Sequence, residues 1–229
     1  MRPIKHTRLK RHLGFAQETM LLIPKLIWGL FLASIGTVMM IHANIGLFPW
    51  GTLNAGLVDV TGISFGTWSQ ITGLIIIIVM ALFKYYPGIG TLLDMIFVGY
   101  FIDILERSAL IDYPDTLAFK ILSSLVGLFI LSYGMSLYMS CGLGAGPRDG
   151  LMLMLIQRTG KSVTFVKTVL EITVMAIGLL LGGPFGIGTI MLALLGGKVL
   201  SLVFKWTGYD ASKVEQKSLL DLIQRTASV

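Results

Sequence analysis

The hydrophobic positions come in long runs. Apolar stretches cover about Leu26–Ile41, Phe65–Phe83, Ile89–Leu105, Ile121–Met139, Phe165–Leu181 and Ile187–Phe204. Each is about long enough to cross the hydrocarbon core of a bilayer as a helix. The strict two-residue alternation of a membrane β-barrel is absent. Two shorter apolar segments, Trp50–Thr61 and Arg148–Thr159, each follow a Gly/Pro-rich break. Twelve helical residues rise about 18 Å, against a hydrocarbon thickness of about 30 Å, so neither can cross as a continuous helix.

The punctuation between these runs repeats. Shifted by 98 residues, the chain matches itself without a gap. Gly29 to Gly36 falls on Gly127 to Gly134, and Gly46 and Pro49 fall on Gly144 and Pro147. Thr61, Gly62 and Ser64 fall on Thr159, Gly160 and Ser162, and Gly88-Ile-Gly-Thr91 falls on Gly186-Ile-Gly-Thr189. From 29 to 105, 18 of 77 positions are identical, and most are Gly, Pro, Thr or Ser. Apolar composition alone would match Leu and Ile, not these. The expected fold is therefore an all-α integral membrane protein of two homologous halves, each with long transmembrane helices plus one short broken or re-entrant helix. Residues 1–20 read as a basic cytoplasmic tail, 21–106 and 119–206 as the two repeats, 107–118 as a connector, and 207–229 as a cytoplasmic amphipathic tail.

Six full spans make the halves inverted, and eight make them parallel. The short helices favour six. The loop charges distribute five against two either way, so the positive-inside rule does not choose. Both arrangements put both termini in the cytoplasm.

Composition agrees with a membrane protein. Only 13% of the 229 residues are charged, against roughly 25% in soluble domains, and mean hydropathy is +0.82. The net charge of +6 sits mainly in the tails, which suits topology rather than nucleic-acid binding. One cysteine, Cys141, allows no intrachain disulfide, and the three histidines form no metal-ligand cluster. No cofactor, metal or enzymatic motif is expected, because no P-loop, Gly-x-Ser-x-Gly or His-Glu-x-x-His pattern occurs and the second half has no histidine.

Two matched, Gly/Pro-interrupted helices point to a transporter binding site. The expected substrate contacts are Gly144, Gly146, Pro147, Arg148 and Asp149 in the second half and Pro49, Trp50 and Asn54 in the first. Arg148 can hold an anionic group beside free helix N–H donors. Its bland alternative is a lipid-headgroup contact, with Asp149 serving only as a helix cap. Glu171, mid-helix, is expected to be protonated or paired with Lys167 or Lys198. It reads as a proton-coupling carboxylate or, more simply, as half of a structural ion pair. Asp94 reads as a cap, His42 as a lone residue, and Gly88, Gly90, Gly186 and Gly188 as tight turns or close packing.

Gly-Ala-Gly-Pro-Arg-Asp-Gly-Leu-Met-Leu at 144–153, Arg158-Thr-Gly160, Glu171, Leu181-Gly-Gly183 and Gly186-Ile-Gly-Thr189 resemble the YczE-like bacterial membrane proteins of the YczE/YyaS/YitT grouping, over about residues 20–206. The resemblance implies a bacterial inner-membrane protein of five or six spans. Some members are classed as candidate exporters of small molecules or antibiotics, and the founding member is associated with lipopeptide-type antibiotic production. The carboxyl-terminal soluble domain of the YitT branch is expected to be missing. The expected function is secondary transport or export of an unidentified small molecule, with proton coupling and the lipid bilayer as surroundings. The competing reading is a membrane scaffold or regulator of a cytoplasmic biosynthetic assembly. Substrate, coupling ion and homo-oligomeric state stay open.

Overall fold

Helix starts and stops follow the repeated punctuation. In the computed structural model residues 15–108 and 110–209 are described, with side chains from residue 19. The basic tail around Arg2–Arg11 and the expected amphipathic helix after Asp210 lie outside the described residues. The described residues form eight helices: α1 (Phe15–Ala43), α2 (Pro49–Thr61), α3 (Phe65–Leu82), α4 (Ile89–Ser108), α5 (Leu117–Met139), α6 (Pro147–Thr159), α7 (Val163–Leu180) and α8 (Ile187–Thr207). Among the described residues there is no strand. The bounds of α2 and α6, and of α3 and α7, differ by the same 98 residues as the sequence match. Proline opens both short helices, where its missing N–H costs nothing. Gly62 and Gly160 end them at φ 70° and 65°, in the left-handed conformation that side chains with a Cβ resist. Ser64 and Ser162 then cap α3 and α7 through the N–H groups of Thr67 and Phe165.

Among the described residues five helices have the length and composition to cross a membrane: Thr19–Ala43 within α1, then α3, α5, α7 and α8. The apolar run Ile89–Leu105, read as a sixth span, folds as α4. Its Asp94, Asp103, Glu106 and Arg107 set it apart from the apolar five.

Helix α1 is the centre of the bundle and packs most extensively on α5. The two cross antiparallel. Cys141 Sγ approaches the Leu22 carbonyl, Gly29 lies against Gly134, Gly36 against Gly127, and Ser123 Oγ donates to the Met39 carbonyl. A Cβ on Gly29 would stand 2.8 Å from the Gly134 carbonyl oxygen, and one on Gly127 would stand 2.7 Å from that of Gly36. In a bilayer, where lipid tails are as apolar as leucine, such close backbone packing holds helices together. Helix α4 runs parallel to α1: Ser34 Oγ donates to the Val98 carbonyl and His42 Nε2 meets Glu106. Helix α3 runs antiparallel to α4, with Gly66 against Gly99 and Gly73 against Met95.

The Gly-Ile-Gly-Thr sequences are close-packing sites, and each clamps the loop that leads into the short helix of the other half. Gly90 N–H donates to the Leu143 carbonyl at 2.7 Å, and Gly188 N–H donates to the Ile45 carbonyl at 2.7 Å. Thr91 Oγ1 donates to the Ala145 carbonyl at 2.6 Å. Gly46 and Gly144 sit inside these clamps at φ 104° and 123°. Their orphan loop carbonyls therefore find partners inside the protein, as lipid demands.

Candidate functional site

Between α1, α5 and the starts of the two short helices lies a cavity of about 290 Å³. All eight helices contribute to its wall. The apolar lining includes Phe48, Met95, Leu131 and Leu170. The polar lining is concentrated at the start of α6: Arg148, Asp149, Asp94 and Tyr138, with Lys167 and Glu171 across from them on α7.

Backbone geometry places these groups. Pro147 starts α6 inside the protein, so Arg148 and Asp149 occupy its first turn. Arg148 lies with Cζ 5.3 Å above the Trp50 ring, and Nη2 is 3.4 Å from Ser69 Oγ. Trp50 is the residue 98 positions before Arg148. One short helix therefore offers an aromatic face and the other a cation that rests on it. No carboxylate of the described residues lies within 4 Å of the Arg148 guanidinium, which leaves the donors not turned to Ser69 available for a ligand oxygen. Both Arg148 and Asp149 keep part of their surface accessible, because they face the cavity.

The carboxylate of Asp94 reaches the same point from α4. A Cβ added to Gly146 would lie 3.1 Å from Asp94 Oδ2 and 3.3 Å from the Tyr138 hydroxyl. Glycine at 146 thus leaves room for an acid and a phenol at the α6 amino terminus. In the sequence Asp94 reads as a cap and Tyr138 is unmarked, whereas in the fold both reach the α6 amino terminus. The usable signal for Asp94 is an acid one turn into a helical stretch that is apolar up to Asp103. Nothing local marks Tyr138, which reaches the site only because α5 ends there.

Glu171 pairs with Lys167 one turn earlier, at 3.8 Å, with side chains 40% and 51% exposed. Lys198 is exposed and does not line the cavity. In the first half the matching positions are Ser69 and Gly73, which also line it. Formal charge in the wall is two cations, Arg148 and Lys167, against three carboxylates, Asp94, Asp149 and Glu171. All but Asp94 come from the second half.

The other sequence candidates fall outside the cavity. Gly144 is part of the clamp: a Cβ there would meet Thr91 Oγ1 at 2.7 Å and Gly88 Cα at 2.8 Å. It borders a separate cleft of about 280 Å³ with Tyr85 and Lys84. Pro49 opens α2, and its neighbours Phe48 and Trp50 supply the cavity wall. Asn54 is fully buried; its Oδ1 accepts from Thr72, and its Nδ2 has no hydrogen-bond partner. His42 is not alone: Nδ1 meets the Ile111 carbonyl at 2.8 Å, Nε2 meets Glu106 at 3.2 Å, and the ring stacks on Tyr113. Among the described residues no group of three His, Cys, Asp or Glu could hold a metal ion.

Apolar helices of spanning length around a largely apolar cavity with one charged end define an all-helical, membrane-embedded protein. The chain belongs to the family of unknown function DUF6198, whose profile matches residues 22–205. It is 35% identical over 174 residues to the uncharacterized membrane protein YczE of Bacillus subtilis (strain 168), covering 75% of this chain and 80% of that one. An uncharacterized protein of Haemophilus influenzae is 34% identical over 178 residues, covering 78% and 81%. The uncharacterized protein YyaS of Bacillus subtilis is 24% identical over 176 residues, covering 75% and 87%. No solved structure matches this chain.

Proposed function

We propose that the protein is a secondary transporter of a small molecule in a bacterial inner membrane, built from two inverted homologous halves that alternate about the central cavity. The observation that carries this reading is the cavity itself, which holds unpaired Arg148 over Trp50 at the facing starts of two short helices. Broken helices meeting near the middle of a bundle present free N–H groups and dipole ends to a ligand, a recurring arrangement in transporters. Apolar walls with one charged end suit an amphipathic substrate whose head carries an anionic oxygen. Glu171, paired on the cavity wall, is the proposed proton-carrying carboxylate.

The antiparallel crossing of α1 and α5 supports inversion. Parallel halves would send these two matching helices the same way through the membrane. In the inverted arrangement α1, α3 and α4 cross, α2 re-enters, and the connector around Asp112 is extracellular. An impermeant thiol reagent applied to intact cells should then label Asp112→Cys in a Cys141→Ser background. Protection of that thiol would instead mean parallel halves.

Binding is tested by leaving Trp50 as the sole tryptophan (Trp28, Trp68 and Trp206→Phe) and titrating the purified protein with short alkyl carboxylates and alkyl amines. The carboxylates should change Trp50 emission saturably, and Arg148→Gln should move that response to about ten- to hundredfold higher concentration. Equal responses to amines, or an unaffected Arg148→Gln variant, would overturn the assignment of the anion site.

A further inference from the structure

The two halves differ most in how their last two helices meet. Helices α3 and α4 are zipped together. Asp103 Oδ1 accepts from the Gly66 N–H at 2.8 Å, Oδ2 accepts from Ser64 Oγ at 2.6 Å and from Thr67 Oγ1 at 3.3 Å, and Gln70 donates to the Ile96 carbonyl at 2.8 Å. Gly66 and Gly99 allow this contact, since a Cβ on either would run into the other's backbone. Ninety-eight residues later, Ser162 and Gly197 are retained. Thr164, Phe165, Thr168 and Ser201 replace Gly66, Thr67, Gln70 and Asp103. Ser201 is exposed, Ser162 serves only its own helix, and nothing lies within 4 Å of a Cβ placed on Gly196 or Gly197. Helix α7 packs on α2 and α6, and α8 packs on α5, but α7 and α8 do not pack along each other.

That gap reaches the cavity. Lys167, Leu170 and Glu171 of α7 and Gly196 and Leu200 of α8 line the central cavity from its two sides. Outside it, the flanking surfaces carry Ile172, Ile177, Leu194 and Leu202, all large, apolar and exposed. Those are side chains for hydrocarbon, not for water. The gap is therefore bounded by lipid-compatible surface outside and by Arg148, Asp94 and Asp149 inside.

We infer that the space between α7 and α8 is a lateral portal through which the cavity takes its substrate from the bilayer, so that the substrate is a membrane-partitioned amphiphile. This rests on the transporter reading above. The tail of such a molecule stays in hydrocarbon while its head passes the Lys167–Glu171 pair to reach Arg148, so the cost of exposing a long apolar chain to water is never incurred. The matching position in the first half is sealed by Asp103, which makes the entry one-sided.

The test uses the purified full chain in nanodiscs, Cys141→Ser throughout, with a bimane label at Gly196→Cys or at its first-half counterpart Val98→Cys. Both positions line the cavity. Lipids with a nitroxide on the acyl chain should quench most of the fluorescence at 196 and leave 98 near its unquenched level. Adding Thr164→Gly and Ser201→Asp rebuilds the Asp103 zipper on α7 and α8, and should protect 196. Should that double variant fail to fold, the comparison of 196 with 98 stands by itself. Equal protection at both positions would overturn the portal. Quenching needs no substrate, so an absence of transport would leave this result intact and sink the transporter reading instead.

Discussion

The first and second halves share their framework and differ in their chemistry. Both place proline at the start of a short helix, a left-handed glycine at its end, and a clamp from the opposite half across its loop. At the shared positions facing the cavity, Trp50, Ser69 and Gly73 in one half become Arg148, Lys167 and Glu171 in the other. Asp103, which seals α3 to α4, becomes Ser201 beside an open gap. Backbone requirements hold the framework alike on both sides, because a buried carbonyl in lipid must be satisfied whichever half it belongs to. Side chains facing a cavity carry no such duty and can diverge.

The shared framework should be the most sensitive to change. Gly46→Ala and Gly144→Ala each force a Cβ into a positive-φ position already occupied by the opposing clamp. Adding about 1–2 kcal/mol for the left-handed backbone to about 1–3 for overpacking, each should cost about 2–5 kcal/mol. Thermal melting in detergent should show nearly equal losses, and a large difference would break the symmetry of the two clamps.

The divergent positions should affect function without collapse. Arg148→Gln removes the charged donor and should weaken binding of an alkyl carboxylate about ten- to hundredfold, the loss of a charge-assisted hydrogen bond of about 1.5–3 kcal/mol. Titration of Trp50 emission measures it. Trp50→Arg would test whether the two sites are interchangeable; two cations so close should instead weaken folding.

The zipper gives a direct contrast. Asp103→Ala leaves the Gly66 N–H without its acceptor and should cost about 1–3 kcal/mol. Hydrogen exchange at the start of α3 should rise with it. Ser201→Ala, at the matching exposed position, should stay within about 0.5 kcal/mol. A comparable loss there would show that α7 and α8 hold together after all. Smallest in stability is Glu171→Gln. An exposed i,i+4 pair contributes about 0.2–0.5 kcal/mol, so the melt should barely move while uptake driven by a pH gradient is lost. Unchanged gradient-driven uptake would remove Glu171 from the proton path and leave Asp94, the cavity's first-half acid, as the group to test.

Much of this was legible in the chain. The bounds of α2 and α6 could be read to within a residue from Pro49, Gly62, Pro147 and Gly160, because caps and breaks act over one helical turn. Arg148, Asp149, Lys167 and Glu171 stood out because charge is scarce in apolar runs. Asp94 stood out for the same reason but was given the wrong employment. A lone acid looks alike from the sequence whether it caps a turn or faces a cavity. His42 looked solitary because its partners, Glu106, Ile111 and Tyr113, lie more than 60 residues away.

By itself, the order of residues determined where helices begin and end, which are apolar enough for lipid, and that the pattern recurs after 98 positions. These are local properties, set by periodicity, proline and glycine. Only the tertiary structure decided that Gly90 would clamp Leu143 and Gly188 would clamp Ile45, that α1 and α5 would cross antiparallel through their glycines, and that Asp94 and Tyr138 would join Arg148. It also decided that α3–α4 would close while α7–α8 stay apart. Such contacts depend on which backbones approach within a few ångströms across the bundle. That follows from the packing of all eight helices at once, which no single stretch of sequence records.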